Sequence, residues 1–323
     1  MLEESMLVER TSPSLAASNG RIDVVLDTDT FNEIDDQFAV MHALLSPQRI
    51  NVLGIYAAPF VNYDCGDPGL GMRQSYDELH RLFDRLSTRP GVPVFRGADR
   101  WVTGQGSPVP SPAIDHLIEL AMSRDPEGPP LFVVGIGAAT NIASALMREP
   151  ELMSRITVVW LGGHAQSHPV AQEFNLVQDI DATRYLLDCG CPLVRIPCIP
   201  VAQMLRTTLP ELRHYLAGRN PLCDFLIERV SDHAAKAQRR QTENNAGRAI
   251  AYSKELWDVA ATAWLIDPAW APSRLIASPV LSWADTWRWS RDESRHLIRE
   301  VSRLDRDAVL GDLFTKLANA TDL

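Results

Sequence analysis

Short, almost continuous apolar runs recur along the first two thirds of the chain, separated by longer segments with helical spacing. The runs have the length of strands and lack alternation of polar and apolar positions, which is typical of strands covered on both faces. They lie at Ile22–Leu26, Val52–Tyr56, Leu131–Ile136, Ile156–Leu161 and Leu193–Pro197. This pattern predicts an α/β fold, with an open, mostly parallel sheet flanked by helices around a Rossmann-like core.

Helical periodicity follows the first of these runs. Ile34, Phe38, Met41 and Leu45 recur at helical spacing, and Pro47 follows the predicted end of that helix. Further helices are predicted at Thr140–Arg148, Asp179–Asp188, Pro221–Gln238, Glu255–Ile266 and Asp305–Asn319. Strands that alternate with helices in this way are connected by crossovers, which favours a parallel sheet.

Two polar stretches are predicted to be loops. Ala58–Gly71 is dense in Gly, Pro, Asn and Asp and follows a strand end, where α/β proteins bind their ligands. Gln238–Gly247 is a second polar stretch and is placed to act as a lid. Residues 1–20 have no apolar core of a signal peptide, so we expect a mostly disordered lead-in. We expect a single domain over residues 21–323.

Composition narrows the possible partners. The 323 residues include 41 acidic and 31 basic side chains, for a formal net charge of −10. This balance argues against binding of nucleic acid, whose phosphates attract Lys and Arg. No stretch of about 18 uncharged apolar residues occurs, so a membrane span is not expected. The five cysteines are an odd number without a secretion signal, which indicates reduced thiols and a cytoplasmic location.

The segment from Asp27 to Asp36 carries the most chemical information. Four aspartates and one glutamate lie within ten residues, directly after the first predicted strand. Acidic residues favour helix N-termini, which accounts for Asp35 and Asp36 but not for Asp27 and Asp29. Carboxylates this close raise one another's pKa or require a cation. Because the segment lacks His and Cys, the expected cation is a hard one bound by oxygen, such as Ca²⁺.

The same segment resembles the Asp-x-Asp-Pro-Gly-x-Asp-Asp signature of the inosine–uridine-preferring nucleoside hydrolases. This chain has five residues between its two acidic pairs, where the signature has three, and it lacks the Pro-Gly. The resemblance continues in order over about residues 21–270. The further matching positions are Asn62, Ile136-Gly-Ala-Ala-Thr-Asn141, Glu173-Phe174-Asn175 and Trp257-Asp258.

The resemblance implies calcium-dependent hydrolysis of the N-glycosidic bond of a ribonucleoside, with release of free base and ribose. By this likeness, calcium would be held by Asp29, Asp36, Asp258 and the backbone carbonyl of Ile136. Asp29 would also serve as the general base for the attacking water. The family habit further implies a homodimer or homotetramer.

The resemblance also assigns residues to the substrate. Asp35, Asn62, Glu173 and Asn175 would bind ribose hydroxyls, and polar groups of this kind reject analogues that cannot pair with them. Asp27 is expected to brace the turn instead of touching the substrate.

The sequence leaves two routes open for protonation of the departing base. Trp257 stands where some relatives have a histidine, so its ring would stack on the base and ease protonation from solvent. Alternatively, His164, His168 or His233 would supply the proton from a loop. We also expect His164 and His168 to contact the base or the 5′-hydroxyl.

Other classes of protein share parts of this pattern. A non-catalytic calcium-dependent nucleoside-binding protein would use most of the same residues. Asp27-x-Asp29 after a strand is also found in magnesium-dependent phosphohydrolases of the haloacid-dehalogenase type, but Phe31 stands where those enzymes have Thr or Val. Gly135-x-Gly137-x-x-Thr140 resembles a dinucleotide-binding turn without its third glycine, which makes a nicotinamide enzyme the weakest alternative.

Overall fold

The computed structural model describes residues 4–11, 21–88, 90–104, 107–244, 251–282 and 288–320. The strands in this part of the chain are β1 (Ile22–Thr28), β2 (Ile50–Ala57), β3 (Val94–Arg96), β4 (Leu131–Gly135), β5 (Ile156–Leu161), β6 (Leu193–Ile196), β7 (Arg206–Thr207), β8 (Lys254–Glu255), β9 (Ser273–Ala277), β10 (Val280–Leu281), β11 (Trp289–Ser290) and β12 (Leu297–Val301). The helices are α1 (Glu4–Arg10), α2 (Asp36–Leu44), α3 (Pro68–Phe83), α4 (Pro112–Met122), α5 (Thr140–Arg148), α6 (Phe174–Gln178), α7 (Ile180–Asp188), α8 (Leu209–Leu216), α9 (Pro221–Asn244), α10 (Val259–Ile266) and α11 (Arg306–Ala318).

Eight strands form the central sheet in the order β3-β2-β1-β4-β5-β6-β12-β9. All neighbouring strands are parallel except β9, which runs antiparallel to β12. The predicted open, mostly parallel sheet is therefore confirmed. The chain leaves β1 toward β2 on one side and later returns to β4 on the other. This change of direction opens a crevice at the carboxyl ends of β1 and β4, where α/β folds bind ligands.

Helices cover both faces of the sheet, and this explains the unbroken apolar runs. In β1, Val24 and Leu26 pack into one apolar cluster with Phe38 of α2. Val25 points the other way and packs with Ile114 of α4 in a second cluster. Successive side chains of a strand face opposite sides, so a strand buried on both sides needs an apolar residue at every position.

Several boundaries differ from the sequence-based prediction. Strand β1 continues two residues past the predicted end, so Asp27 and Thr28 lie within it. The predicted loop Ala58–Gly71 ends earlier, because Asp67 accepts a hydrogen bond from the backbone N–H of Leu70 at 2.6 Å and starts α3. An N-cap of this kind, followed by proline in the first turn, is a strong helix start. The helix predicted from Glu255 starts at Val259, because Lys254–Glu255 pairs with β7 as β8.

Two polar segments are more regular than predicted. The predicted loop Gln238–Gly247 is wrong as far as Asn244, because α9 continues to that residue; residues 245–247 lie outside the described part of the chain. In the expected lead-in, α1 forms with Leu7 buried, and the Thr157 hydroxyl donates to the Arg10 carbonyl at 2.9 Å. Residues 12–20 of the lead-in are not described. Across the described residues, no helix has the length and apolar character needed to cross a bilayer.

Candidate active site

A cavity of about 300 Å³ opens at the carboxyl ends of the central strands. Nine of the residues predicted from sequence line it: Asp29, Asp35, Asp36, Ile136, His164, Glu173, Asn175, Trp257 and Asp258. They come from four separate parts of the sequence, and the parallel sheet brings these parts to one edge. Leu161, Phe174 and Cys198 add an apolar wall that sequence reasoning did not assign.

Three carboxylates form the floor of the cavity. Oxygens of Asp35, Asp36 and Asp258 all lie within 4.8 Å of one another, and each of these residues is at most 5% exposed. Asp35 and Asp36 stand at the start of α2, and Asp258 stands at the start of α10. The positive ends of two helix dipoles therefore meet at this cluster and favour negative charge there. The Thr28 hydroxyl holds Asp36 by donating to its Oδ1 at 2.5 Å.

Burial and mutual repulsion disfavour the ionised form of these acids. Burial first, and then Asp35, raise the pKa of Asp36 to about 7. For Asp29 and Asp258, burial and the neighbouring carboxylates raise the pKa well above its ordinary value. Oδ2 of Asp29 is buried and has no hydrogen-bond partner among the described residues. An oxygen-only donor set with an unpaired buried carboxylate oxygen fits a hard divalent cation.

The turn after β4 lies beside these carboxylates in the cavity wall. Ile136 lines the cavity, and its backbone N–H donates to the Asp27 carbonyl at 2.8 Å. A Cβ at Gly137 would lie 3.2 Å from Cβ of Ala58 and 3.4 Å from Cβ and Cγ of Asp29, so the turn packs closely against both residues. Asp27 itself is fully buried and accepts a hydrogen bond from Asn141 Nδ2 at 2.7 Å. Asp27 therefore joins β1 to α5 and does not line the cavity.

Lys254 is a member of the site that sequence reasoning missed. Its side chain is 4% exposed, and its ammonium contacts the Glu33 carboxylate and lies 3.2 Å from Oδ1 of Asp35. Burial alone would lower the pKa of Lys254, but Asp35 and Glu33 raise it above its ordinary value. Lys254 thus stays charged inside the acidic cluster.

Glu173 and Asn175 are fixed by backbone hydrogen bonds. The Glu173 carboxylate caps α6 and accepts from the backbone N–H groups of Gly163, Asn175 and Leu176 at 2.8, 2.9 and 3.1 Å. Asn175 Nδ2 donates to the Leu161 carbonyl at 3.0 Å. These bonds hold both side chains in the cavity wall with little freedom to move.

His164 is held as a neutral ring. Burial first, and then His168 and Arg195, lower its pKa to about 4. Its Nδ1 accepts from the Ile199 N–H at 3.4 Å, which places the ring proton on Nε2. Arg195 Nη1 and Trp289 Nε1 donate to the His164 carbonyl at 3.0 and 2.8 Å. No sequence motif indicated these two supports.

Two predicted substrate residues lie outside this cavity. Asn62 lines a second cavity of about 490 Å³ together with His233, and its Nδ2 donates to Asn32 Oδ1 at 3.1 Å. The two cavities share Asn32, Glu33 and Phe174, so they adjoin. His168 packs behind His164 with ring centroids 4.6 Å apart and does not line either cavity.

Fold and site together define an α/β enzyme with an acidic pocket for a cation and a polar small molecule. The chain belongs to the inosine-uridine preferring nucleoside hydrolase family, whose family model matches residues 24–310. It is accordingly a hydrolase of N-glycosyl bonds, with ribonucleoside N-glycosidase activity.

Comparison with known proteins agrees with this membership. The chain is 28% identical over 260 residues to the non-specific ribonucleoside hydrolase RihC of Salmonella schwarzengrund, covering 76% of this chain and 78% of that protein. It is 26% identical over 271 residues to an uncharacterised protein of Schizosaccharomyces pombe, covering 76% and 80%. Among solved structures, a plant nucleoside hydrolase superposes with a TM-score of 0.69 at 19% identity, covering 92% of this chain and 99% of that one. A purine-preferring ribonucleoside hydrolase from Gardnerella vaginalis gives 0.68 at 21% identity, covering 93% and 99%.

Proposed function

We propose that this protein is a calcium-dependent ribonucleoside hydrolase that releases free base and ribose. The observation that carries the calcium assignment is the buried acidic cluster of Asp35, Asp36 and Asp258, with Asp29 in the wall of the same cavity. For calcium itself we select Asp29, Asp36 and Asp258. Among the described residues, no ion pair joins these three carboxylates to a cationic side chain, although all are nearly buried. Buried negative charges without a partner are costly, and a bound cation removes that cost.

Asp29, Asp36, Asp258 and the backbone carbonyl of Ile136 would hold the cation. Calcium supplies a positive charge that lowers the pKa of water and a template for ribose hydroxyls. Asp29 is the proposed general base, because its buried Oδ2 has no hydrogen-bond partner within the described ranges and is available to accept the proton of the attacking water. Cleavage of a ribosyl–base bond passes through an oxocarbenium-like state, which a carboxylate-rich wall stabilises.

Substrate hydroxyls would be recognised by Asp35, Glu173, Asn175 and Asn62. The first three line the cavity beside the cluster. Asn62 lies in the adjoining cavity and donates to Asn32, which lines both cavities, so it would approach the substrate from that side. Side chains that are already oriented by their own hydrogen bonds bind hydroxyls without a large loss of conformational entropy.

The leaving base is assigned to the side of the cavity that holds Trp257 and His164. Trp257 is partly buried and offers a ring for stacking. His164 is neutral and carries its proton on Nε2, so it is suited to donate a hydrogen bond to the base. His168 would act through its ring contact with His164, and His233 is occupied by the Tyr252 hydroxyl at 2.7 Å. We further infer a cytoplasmic location, in keeping with five free cysteines. A homodimer or homotetramer is inferred from the family likeness alone.

Removal of the metal tests the calcium assignment. Protein stripped by exhaustive chelation and dialysis should lose hydrolysis of uridine and inosine, and added CaCl₂ should restore it. MgCl₂ at the same concentration should restore less, because Mg²⁺ demands a rigid octahedral shell and gives up its water reluctantly. Full activity in metal-free protein, verified by elemental analysis, would show that the cluster works without a cation.

A further inference from the structure

The acidic cluster contains a buried lysine ammonium, that of Lys254. The position of this ammonium divides the carboxylates into two groups. Lys254 contacts Glu33 and Asp35, whereas Asp29, Asp36 and Asp258 have no ion-pair partner among the described residues. Asp35 is otherwise placed like Asp36 and Asp258, because one oxygen of each of these three residues lies within 4.8 Å of the other two.

The backbone fixes this lysine firmly. Lys254 belongs to β8, which pairs with β7 so that Lys254 faces Thr207 and Glu255 faces Arg206. The Glu255 carboxylate also accepts from Arg206 Nε at 2.6 Å. The Glu255 side chain is thus held by Arg206, away from the cluster. The Lys254 side chain, in contrast, is 4% exposed and contacts the cluster.

Glu33 comes from the segment of this chain that is longer than the family signature. Five residues separate Asp29 from Asp35, where the signature has three, and Glu33 is one of them. Its side chain is 42% exposed, so Glu33 is less buried than Lys254. The lengthened segment therefore brings the carboxylate that neutralises the lysine.

We propose that Lys254 is a positioning residue that keeps Asp35 for the ribose hydroxyls and leaves Asp29, Asp36 and Asp258 to the metal. This inference rests on the proposed function, because it concerns how the same site divides its carboxylates between metal and substrate. The ammonium repels a divalent cation from Asp35 and holds that carboxylate in one orientation. Glu33 offsets part of the repulsion, so the pair also sets the affinity of the site for calcium.

The charge argument predicts opposite effects for two substitutions. Lys254→Met leaves Glu33 and Asp35 without a countercharge, so calcium should bind about 10-fold or more tightly. Glu33→Gln leaves Lys254 less neutralised, so calcium should bind about 10-fold more weakly. Isothermal calorimetry on metal-stripped protein measures both affinities without any assay of activity.

Further variants separate positioning from general damage. Lys254→Arg keeps the charge and should stay within a few-fold of wild type. Lys236→Met removes an exposed lysine paired with Asp64 at 3.7 Å, and should leave calcium affinity unchanged. In steady-state assays at saturating calcium, Lys254→Met should raise KM for uridine more than it lowers kcat, because Asp35 has lost its orientation.

The outcomes distinguish this inference from the proposed function. If wild-type protein binds no calcium, the proposed function fails and this inference fails with it. If wild-type protein binds calcium and hydrolyses uridine, but Lys254→Met binds calcium no more tightly, the positioning role alone is wrong. Should Lys254→Met not fold, an unchanged or tighter affinity in Glu33→Gln overturns the proposal by itself.

Discussion

Asp29 is a buried aspartate in the wall of the acidic cavity. It is 2% exposed, and one of its carboxylate oxygens has no hydrogen-bond partner in the part of the chain that the structure describes. Burial and the neighbouring acids raise its pKa well above the ordinary value, so its ionised form is unfavourable unless a cation is bound. Asp27 also has a buried oxygen without a hydrogen-bond partner among the described residues, but only Asp29 of the two lines the cavity, and this position favours a functional role for Asp29.

Asp29→Asn should therefore abolish turnover without harming the fold. Loss of a general base alone costs about 10²- to 10⁴-fold, and loss of a metal ligand adds to this. Thermal stability of the metal-free variant should equal or exceed that of the wild type, because one of the mutually repelling carboxylates is gone. Asp115→Asn, at an exposed ion pair with Arg148, serves as control and should change neither quantity. Activity of Asp29→Asn within a few-fold of wild type would remove Asp29 from the mechanism.

His164 should remain neutral throughout the physiological pH range. Its pKa is lowered to about 4, so the folded protein binds this proton less readily than the unfolded chain does. The neutral His164 ring therefore contributes fully to the free energy of unfolding above the pKa of the unfolded chain, about 6.5. This contribution is lost as pH falls toward 4. NMR titration of the imidazole protons, assigned with His164→Gln, should give a midpoint near 4. A midpoint between about 6 and 7 would show an ordinary solvated histidine instead.

At the scale of elements, burial determines which strands the sequence reveals. Strands β1, β2, β4, β5 and β6 were predicted because helices cover them on both faces, which leaves an apolar run. Strands β7, β8, β10 and β11 have two residues each, too short for any periodic pattern. Strand β12 includes Arg299 and Glu300, and the buried Glu300 pairs with Arg195 of β6. A charged pair inside a sheet has no signature until the two strands are known to be neighbours.

Helix α3, which precedes the edge strand β3, packs closely against the loop before it. Substitution of a glycine in α3 tests this packing. A Cβ at Gly71 would collide with the Phe60 carbonyl, in the same loop that carries Asn62. Gly71→Ala should destabilise the protein by about 1–3 kcal/mol, as overpacking usually does. Gly311, in the exposed face of α11, has no atom within 4 Å of such a Cβ, and Gly311→Ala should stabilise by about 0.5–1 kcal/mol through helix propensity. Urea denaturation measures both, and equal shifts in the two variants would contradict the packing described for α3.

At the scale of the whole molecule, the site forms because the sheet brings together segments that are distant in sequence. The carboxylates between Asp27 and Asp36 were recognisable because they are close in sequence, and Asp258 was found by its place in an ordered set of motifs. Lys254 was not predictable, because it lies 221 positions from Glu33 and belongs to no motif. Likewise, Arg195 and Trp289 support His164 from β6 and β11, which only the assembled fold brings together. The density of carboxylates in one segment predicted the floor of the site. Its counter-ion, Lys254, comes from a contact between residues far apart in sequence.

Product analysis with a panel of nucleosides tests the central claim most directly. Calcium-loaded protein is incubated with uridine, cytidine, inosine, adenosine, their 2′-deoxy forms and a phosphomonoester, and chromatography measures free base and ribose. We expect equimolar base and ribose from at least one ribonucleoside. The matching 2′-deoxynucleoside should be much poorer, because a missing hydroxyl leaves buried polar groups unpaired. Phosphate should not be released from the phosphomonoester. Tight binding of nucleosides without any free base, or release of phosphate in place of base, would contradict the account.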